Sequence, residues 1–197
     1  MRKLTVDDIL DLRAYERVRE QARRDVIALK KKRRVHVGEL VTIVFENTDT
    51  MRFQIQEMAR AEKMLRDEQI AHEVATYNAL IPGEGELSCT LFIELDGEAK
   101  LLEWLPRLVG IHESVKFALP GGREVRGYDP EADRLSREDV TAAVHFLKFE
   151  FSADEQRAFA DGPVTLGIDH PAYTVSVALT SDQHAELAAD LAADLRP

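Results

Sequence analysis

The stretch Val44-Phe-Glu-Asn-Thr-Asp-Thr-Met-Arg-Phe-Gln-Ile-Gln-Glu-Met-Ala-Arg-Ala-Glu62 decides the fold class, because it carries strand residues straight into an amphipathic helix. Just upstream, Val41, Ile43 and Phe45 alternate and so share one face of a strand that reads from Val35 to Glu46, entered past Gly38. Asn47, Thr48 and Asp49 are all good N-cap residues, so a helix starts there. Met51, Ile55 and Met58 then recur at helical spacing as its apolar stripe. The stripe extends to Leu65, and a second runs through Ile70, Val74, Tyr77 and Ile81. The five-residue step from Leu65 to Ile70 breaks phase, which predicts a bend or a new cap near Asp67. Pro82 and Gly83 close the element.

Working outward, Ile9, Leu12, Val18, Ala22, Val26 and Leu29 space an earlier helix from about Asp8 to Arg33. Thr5 with Asp8 supplies its start, and the cations Lys30 to Arg34 complement the partial negative charge of its C-terminus. Downstream the signals are mostly strands. Leu87, Cys89, Leu91, Ile93 and Leu95 share a face, and Val115 to Leu119 turns at Pro120-Gly-Gly122 to return over Glu124 to Arg126. Residues Gly127 to Asp139 read as a polar loop with a helical turn at Ser136. Thr141 to Phe151 is a strand, and Ser152 with Glu155 forms a capping box for a short helix to Ala160. Val164 to Ile168 and Tyr173 to Leu179 flank the turn Asp169-His-Pro-Ala172, and Thr180 with Gln183 caps a last helix reaching Leu195. The expectation is an α+β fold in one domain spanning residues 1–197: an N-terminal helix, a long bent central helix packed on a mostly antiparallel sheet, and a C-terminal helix.

A chain of 197 residues buries about 70% of its unfolded surface on area scaling, ample for one core without a metal or disulfide. The single cysteine, Cys89, alternates with apolar strand residues and reads as a small core residue rather than a reactive thiol. No leader and no span of about eighteen apolar residues is present, so the expected location is cytoplasmic and away from the membrane. Net charge is −10, yet residues 1–40 hold twelve Lys/Arg against seven Asp/Glu while the remainder holds 14 against 29. The N-terminal segment and the rest therefore attract each other. One basic run on an acidic protein, with no aromatic residues interleaved, is a weak nucleic-acid footprint. Anion or nucleic-acid binding at Lys30 to Arg34 stays the third alternative.

The candidate chemistry gathers at the helix entry and at two strand histidines. Glu46 precedes the N-cap, and Gln54 and Glu57 lie three apart on one helical face at the border of the Met51, Ile55, Met58 stripe. They are expected to face the sheet. His145 shares a strand face with Leu147, Phe149 and Phe151, and His170 continues the face of Val164, Leu166 and Ile168. Glu46, Gln54, Glu57, His145 and His170 would together suit a divalent metal or acid–base work. Internal polar networking and core histidines bonded to backbone are the competing reading. Glu68 and His72, four apart, match neither the zinc nor the di-iron helix signature and read as a surface pair.

The runs Phe45-Glu-Asn-Thr48, Gln54-Ile-Gln-Glu-Met58, Tyr77-Asn-Ala-Leu-Ile-Pro82, Gly85-Glu-Leu-Ser88 and Ala143-Val-His-Phe-Leu147 together resemble a bacterial family known only as a domain of unknown function. The resemblance covers nearly the whole chain. It implies a setting beside rubrerythrin-like di-iron proteins and iron-sulfur oxidoreductases, hence oxidative-stress or redox physiology with a redox-protein partner. It assigns no reaction, and the single cysteine excludes cluster-binding spacing in this chain. The first reading is an accessory protein acting through protein contacts, as a homodimer through a long helix. Its rival is a small metalloprotein or metal-dependent enzyme using Glu57, His145 and His170, with Glu46.

Overall fold

The computed structural model describes residues 1–130 and 140–192. Its helices are α1 (Leu12–Arg33), α2 (Thr48–Ala61), α3 (Asp67–Asn78), α4 (Glu98–Trp104), α5 (Ala153–Asp161) and α6 (Ser181–Ala192). Its strands are β1 (Arg34–Val37), β2 (Val41–Glu46), β3 (Glu86–Ile93), β4 (Val115–Leu119), β5 (Arg123–Arg126), β6 (Val144–Glu150), β7 (Thr165–His170) and β8 (Tyr173–Ala178). The α+β class holds. Instead of one sheet there are two, ordered β1-β2-β3-β6 and β5-β4-β7-β8, and every pairing is antiparallel. The segment between β3 and β4, with α4 and the 3-10 turn Ile111–Ser114, carries the chain from one sheet to the other.

The alternating residues of both sheets meet in one apolar interior. Phe45 stacks on Phe117 at 5.6 Å, and Phe117 meets Phe149 edge-on at 4.9 Å. Those rings come from β2, β4 and β6, so the contact spans both sheets. Cys89 sits in this interior beside Leu87 and Leu91, fully buried. Burial pushes its thiol well above the ordinary range, the nearby Glu46 carboxylate adding to the effect. One seam between the sheets is joined by the Tyr128–Lys148 bridge, beside the edges of β5 and β6. At the other, Tyr173 of β8 donates to Val37 O at 2.7 Å and accepts from Leu40 N at 3.1 Å, tying β8 to the β1–β2 turn.

That turn corrects the uninterrupted strand read over Val35 to Glu46. Gly38 has φ +73°, and a Cβ there would run into the Tyr173 hydroxyl. The chain reverses at this point, and Val35 pairs with Ile43. The long central helix is also two helices. Lys63 adopts φ 52°, while Lys63 N donates to Arg60 O and Met64 N to Ala59 O, the paired bonds that close a helix through a left-handed residue. Met64 thereby takes a buried place and Leu65, expected in the stripe, is 82% exposed. At the N-terminus, Thr5 and Asp8 cap only a 3-10 turn over Val6–Asp8, and Asp11 caps α1 itself by accepting from Ala14 N at 2.9 Å.

α2, α3 and the N-terminal 3-10 turn enclose a second, smaller apolar cluster of Leu4, Met51, Ile55, Val74 and Ile81. The helical turn expected at Ser136 and the end of the last helix at Leu195 lie outside the described residues. Among the described residues no helix is long and apolar enough to cross a membrane.

Candidate functional site

Glu57 turns toward α1, not toward the sheets. Its carboxylate accepts from the Tyr15 hydroxyl at 2.7 Å and from Arg19 Nε and Nη2 at 2.8 and 2.9 Å. The Arg19 fork, with Tyr15 helping, holds the acid down at about 2 against the opposing effect of burial. A carboxylate so occupied is a cation's counter-charge already. Gln56, not Gln54, is the amide doing structural work: it accepts from Leu10 N at 2.9 Å and donates to Leu10 O at 2.8 Å, clasping the chain just before α1. Gln54 is half-buried and its side chain makes no hydrogen bond among the described residues.

Glu46 lies on the outer face of the first sheet, where Oε1 accepts from the Thr90 hydroxyl at 2.8 Å while the buried Oε2 has no donor. Beside it is an ionic cluster that the periodicity of α1 conceals. Arg33, fully buried, donates to Phe45 O, Glu46 O, Glu186 and Asp190, so all its bonds go inward. It pins the end of α1 to α6. Burial raises the Asp190 carboxyl, with Glu186 adding to this and Arg33 opposing it. The basic run Lys30 to Arg34 therefore loses its fourth member to the interior.

No hydrogen bond, ion pair or ring contact among the described residues joins any two of Glu46, Gln54, Glu57, His145 and His170. His170 accepts from Ala172 N at Nδ1 and donates from Nε2 to Val109 O at 2.9 Å, a core histidine satisfied by backbone. His145 is the more unusual. Its Nε2 donates to Ala142 O at 2.9 Å, with Thr141 Oγ1 also at 2.9 Å. Its Nδ1 makes no hydrogen bond and lies 3.7 Å from the buried Asp129 Oδ2. His112 stacks on it at 5.1 Å and 16°, with its own buried Nδ1 unbonded. Burial, then His112, hold the His145 imidazole below its ordinary range.

A metal ion binds imidazole in the ring plane, about 2.0–2.1 Å from nitrogen. Two nearly parallel rings cannot both point in plane at one ion, and no group of three or more ligating residues fit for a metal occurs among the described residues. The pair instead holds the 3-10 turn against β6. Sequence reading misses it because His112 sits in a run, Val109 to Ser114, with no periodic signal.

Among the open clefts of the described residues is a groove between α1 and α2, of about 330 Å³, walled by Val18, Ala22, Leu29 and Phe53 and rimmed by Asp25, Asp49 and Arg52. Leu10 and Val18, also in its lining, are 46% and 45% exposed. Of the 22 residues of α1 only Tyr15, Val26 and Arg33 are buried.

No curated protein matches the chain. A crystal structure of a novel protein of unknown function from Burkholderia pseudomallei K96243 is similar, with a TM-score of 0.89 and 36% identity over 96% of this chain and 100% of the other. Residues 3–191 match the family described as "Protein of unknown function (DUF3501)", and the chain belongs to that family.

Proposed function

We propose that this protein works by binding another polypeptide in the groove between α1 and α2, as an accessory protein rather than a catalyst. The observation that carries the reading is the groove itself: apolar side chains left half-open along a 22-residue helix of which only Tyr15, Val26 and Arg33 are buried. Soluble surfaces scatter single apolar residues freely, but a furrow lined largely by apolar side chains with charged residues on its rim has the form of a helix-in-groove site. Two of the polar residues that would favour catalysis are otherwise engaged, Glu57 by Arg19 and Tyr15 and His170 by backbone. A place in redox physiology rests on the family resemblance alone.

A photocrosslinking amino acid placed at Val18, in the groove, and at Arg13, on the opposite side of α1, tests this in cells. Crosslinked polypeptide is expected at Val18 and not at Arg13. Equal labelling at both positions, or none at either, overturns it.

A further inference from the structure

The side of α1 turned away from the buried Tyr15, Val26 and Arg33 carries a line of cations. Arg13, Arg17, Arg24 and Lys31 follow one another at steps of four, seven and seven, which at about 100° per residue keeps them within roughly 40° of arc. All four are exposed, and the line is about 27 Å long at roughly 1.5 Å per residue. Arg23 and Lys30 flank it on one side and Lys32 on the other. None of these cations has a carboxylate within 4 Å among the described residues. The acids near the line are already answered: Glu16 by Arg60, Glu20 by Arg19 and Asp25 by the Gln21 amide. Like charges four apart, as at Arg13 and Arg17, weaken a helix, so the line costs the fold something and neutralises nothing within it.

We propose that this face of α1 binds the phosphate backbone of double-stranded nucleic acid, without regard to base sequence. It is the side of the helix away from the groove, so the proposal does not rest on the reading of the groove. Three of the four cations in the line are arginines, whose planar fork suits phosphate better than a lysine ammonium does. A duplex carries one fixed charge per roughly 1.7 Å of its axis, so a straight line of cations meets phosphates along its length. Gln21, the one amide on this face, is held by Asp25 and Arg24, which leaves the backbone rather than base edges as the target. A lipid surface fits less well. A plane would extend past one helix over a remainder that holds 14 Lys/Arg against 29 Asp/Glu, and Ile27 is the one large apolar side chain beside the line. An acidic peptide would bring its carboxylates on flexible stems, each ordered at an entropic cost. The run Lys30 to Arg34 shows only the end of this surface, because the phase of the helix must be known before Arg13, Arg17 and Arg24 join it.

Fluorescence anisotropy of the purified full-length chain with a short labelled DNA duplex of mixed sequence, between about 50 and 200 mM salt, is the direct test. Affinity is expected to fall with salt at a log–log slope of about −3 to −4, as four phosphate contacts require. The triple variant Arg17→Gln, Arg24→Gln, Lys31→Gln is expected to lose at least about tenfold in affinity at the lower salt, and most of the slope. Lys63→Gln, Lys100→Gln, Arg123→Gln removes the same charge from exposed positions outside α1 and is expected to change neither. A duplex of unrelated sequence is expected to bind within about threefold of the first. Absence of salt-dependent binding, or equal losses in the two triple variants, overturns the proposal. So does tighter binding of poly-glutamate or of phosphatidylserine vesicles than of the duplex, which would give the face to an acidic protein or to a membrane.

Discussion

At the scale of single residues, the polar side chains of this protein are arranged as counter-charges and clasps. Glu57 shows the consequence most directly. Its stabilising effect is present above the ordinary carboxylate range near pH 4.5 and is lost as pH falls toward about 2, because the folded state holds it ionised longer than the unfolded one does. Glu57→Gln is expected to lower stability by about 1–2 kcal/mol at pH 7, since the amide keeps one bond but leaves the Arg19 fork without its charge. Chemical unfolding of the two proteins at pH 7 measures this, and the gap should narrow at pH 3. Cys89 behaves oppositely. Buried at 2% exposure with its thiol pushed up, it should resist thiol reagents in the native state and react only on unfolding. Rapid labelling of the native protein would contradict that. The burial of Cys89 is legible from its alternation with Leu87 and Leu91. The partner of Glu57 is not, because helical spacing places a side chain on a face without saying which neighbouring element that face meets.

Among elements, two left-handed residues mark where a reading by periodicity succeeds and fails. The break in the central helix is legible, as the apolar stripe slips by one residue after Leu65. Its position is not, since the closing residue is Lys63, where glycine is the usual choice. Lys63→Gly should therefore raise stability by about 0.5–1 kcal/mol, relief of backbone strain outweighing the greater freedom of glycine when unfolded. A higher urea midpoint at unchanged slope would show it. Gly38 is the converse. Its φ of +73° and the Tyr173 hydroxyl above it leave no room for a side chain, so Gly38→Ala is expected to lower stability by about 2 kcal/mol or more, read by the same unfolding curves. The hairpin is hidden in the sequence because Val35, Val37, Val41 and Ile43 keep one alternating phase straight through the turn. The capping boxes at Ser152 and Thr180, by contrast, announce α5 and α6 openly.

For the molecule as a whole, the α+β class is written in local patterns, while the division into two sheets is not. Strand alternation tells which side chains face inward, but nothing in it says that β3 and β4 part company across α4. The His112–His145 stack depends on that division, for it joins the 3-10 turn leading into β4 to β6 of the other sheet. Since His145 is held below its ordinary range near 6.5, the unfolded chain takes up its proton first as pH falls. Stability should decline from about pH 6.5 downward, well before the Glu57 window opens. Unfolding midpoints at pH 7.5 and 5.5 check this: the fall expected for the native chain should shrink in His145→Asn.

The closure of the two seams matters for the solubility of the folded state. Each sheet ends in strands whose backbone groups would otherwise template the addition of a foreign strand, the usual first step toward fibrous aggregates. Here the terminal strand β6 is occupied by the Tyr128 bridge, and the turn beside β1 by the Tyr173 hydroxyl. At these two seams an added strand therefore meets occupied backbone or a side chain in its way, which disfavours β-polymerisation there.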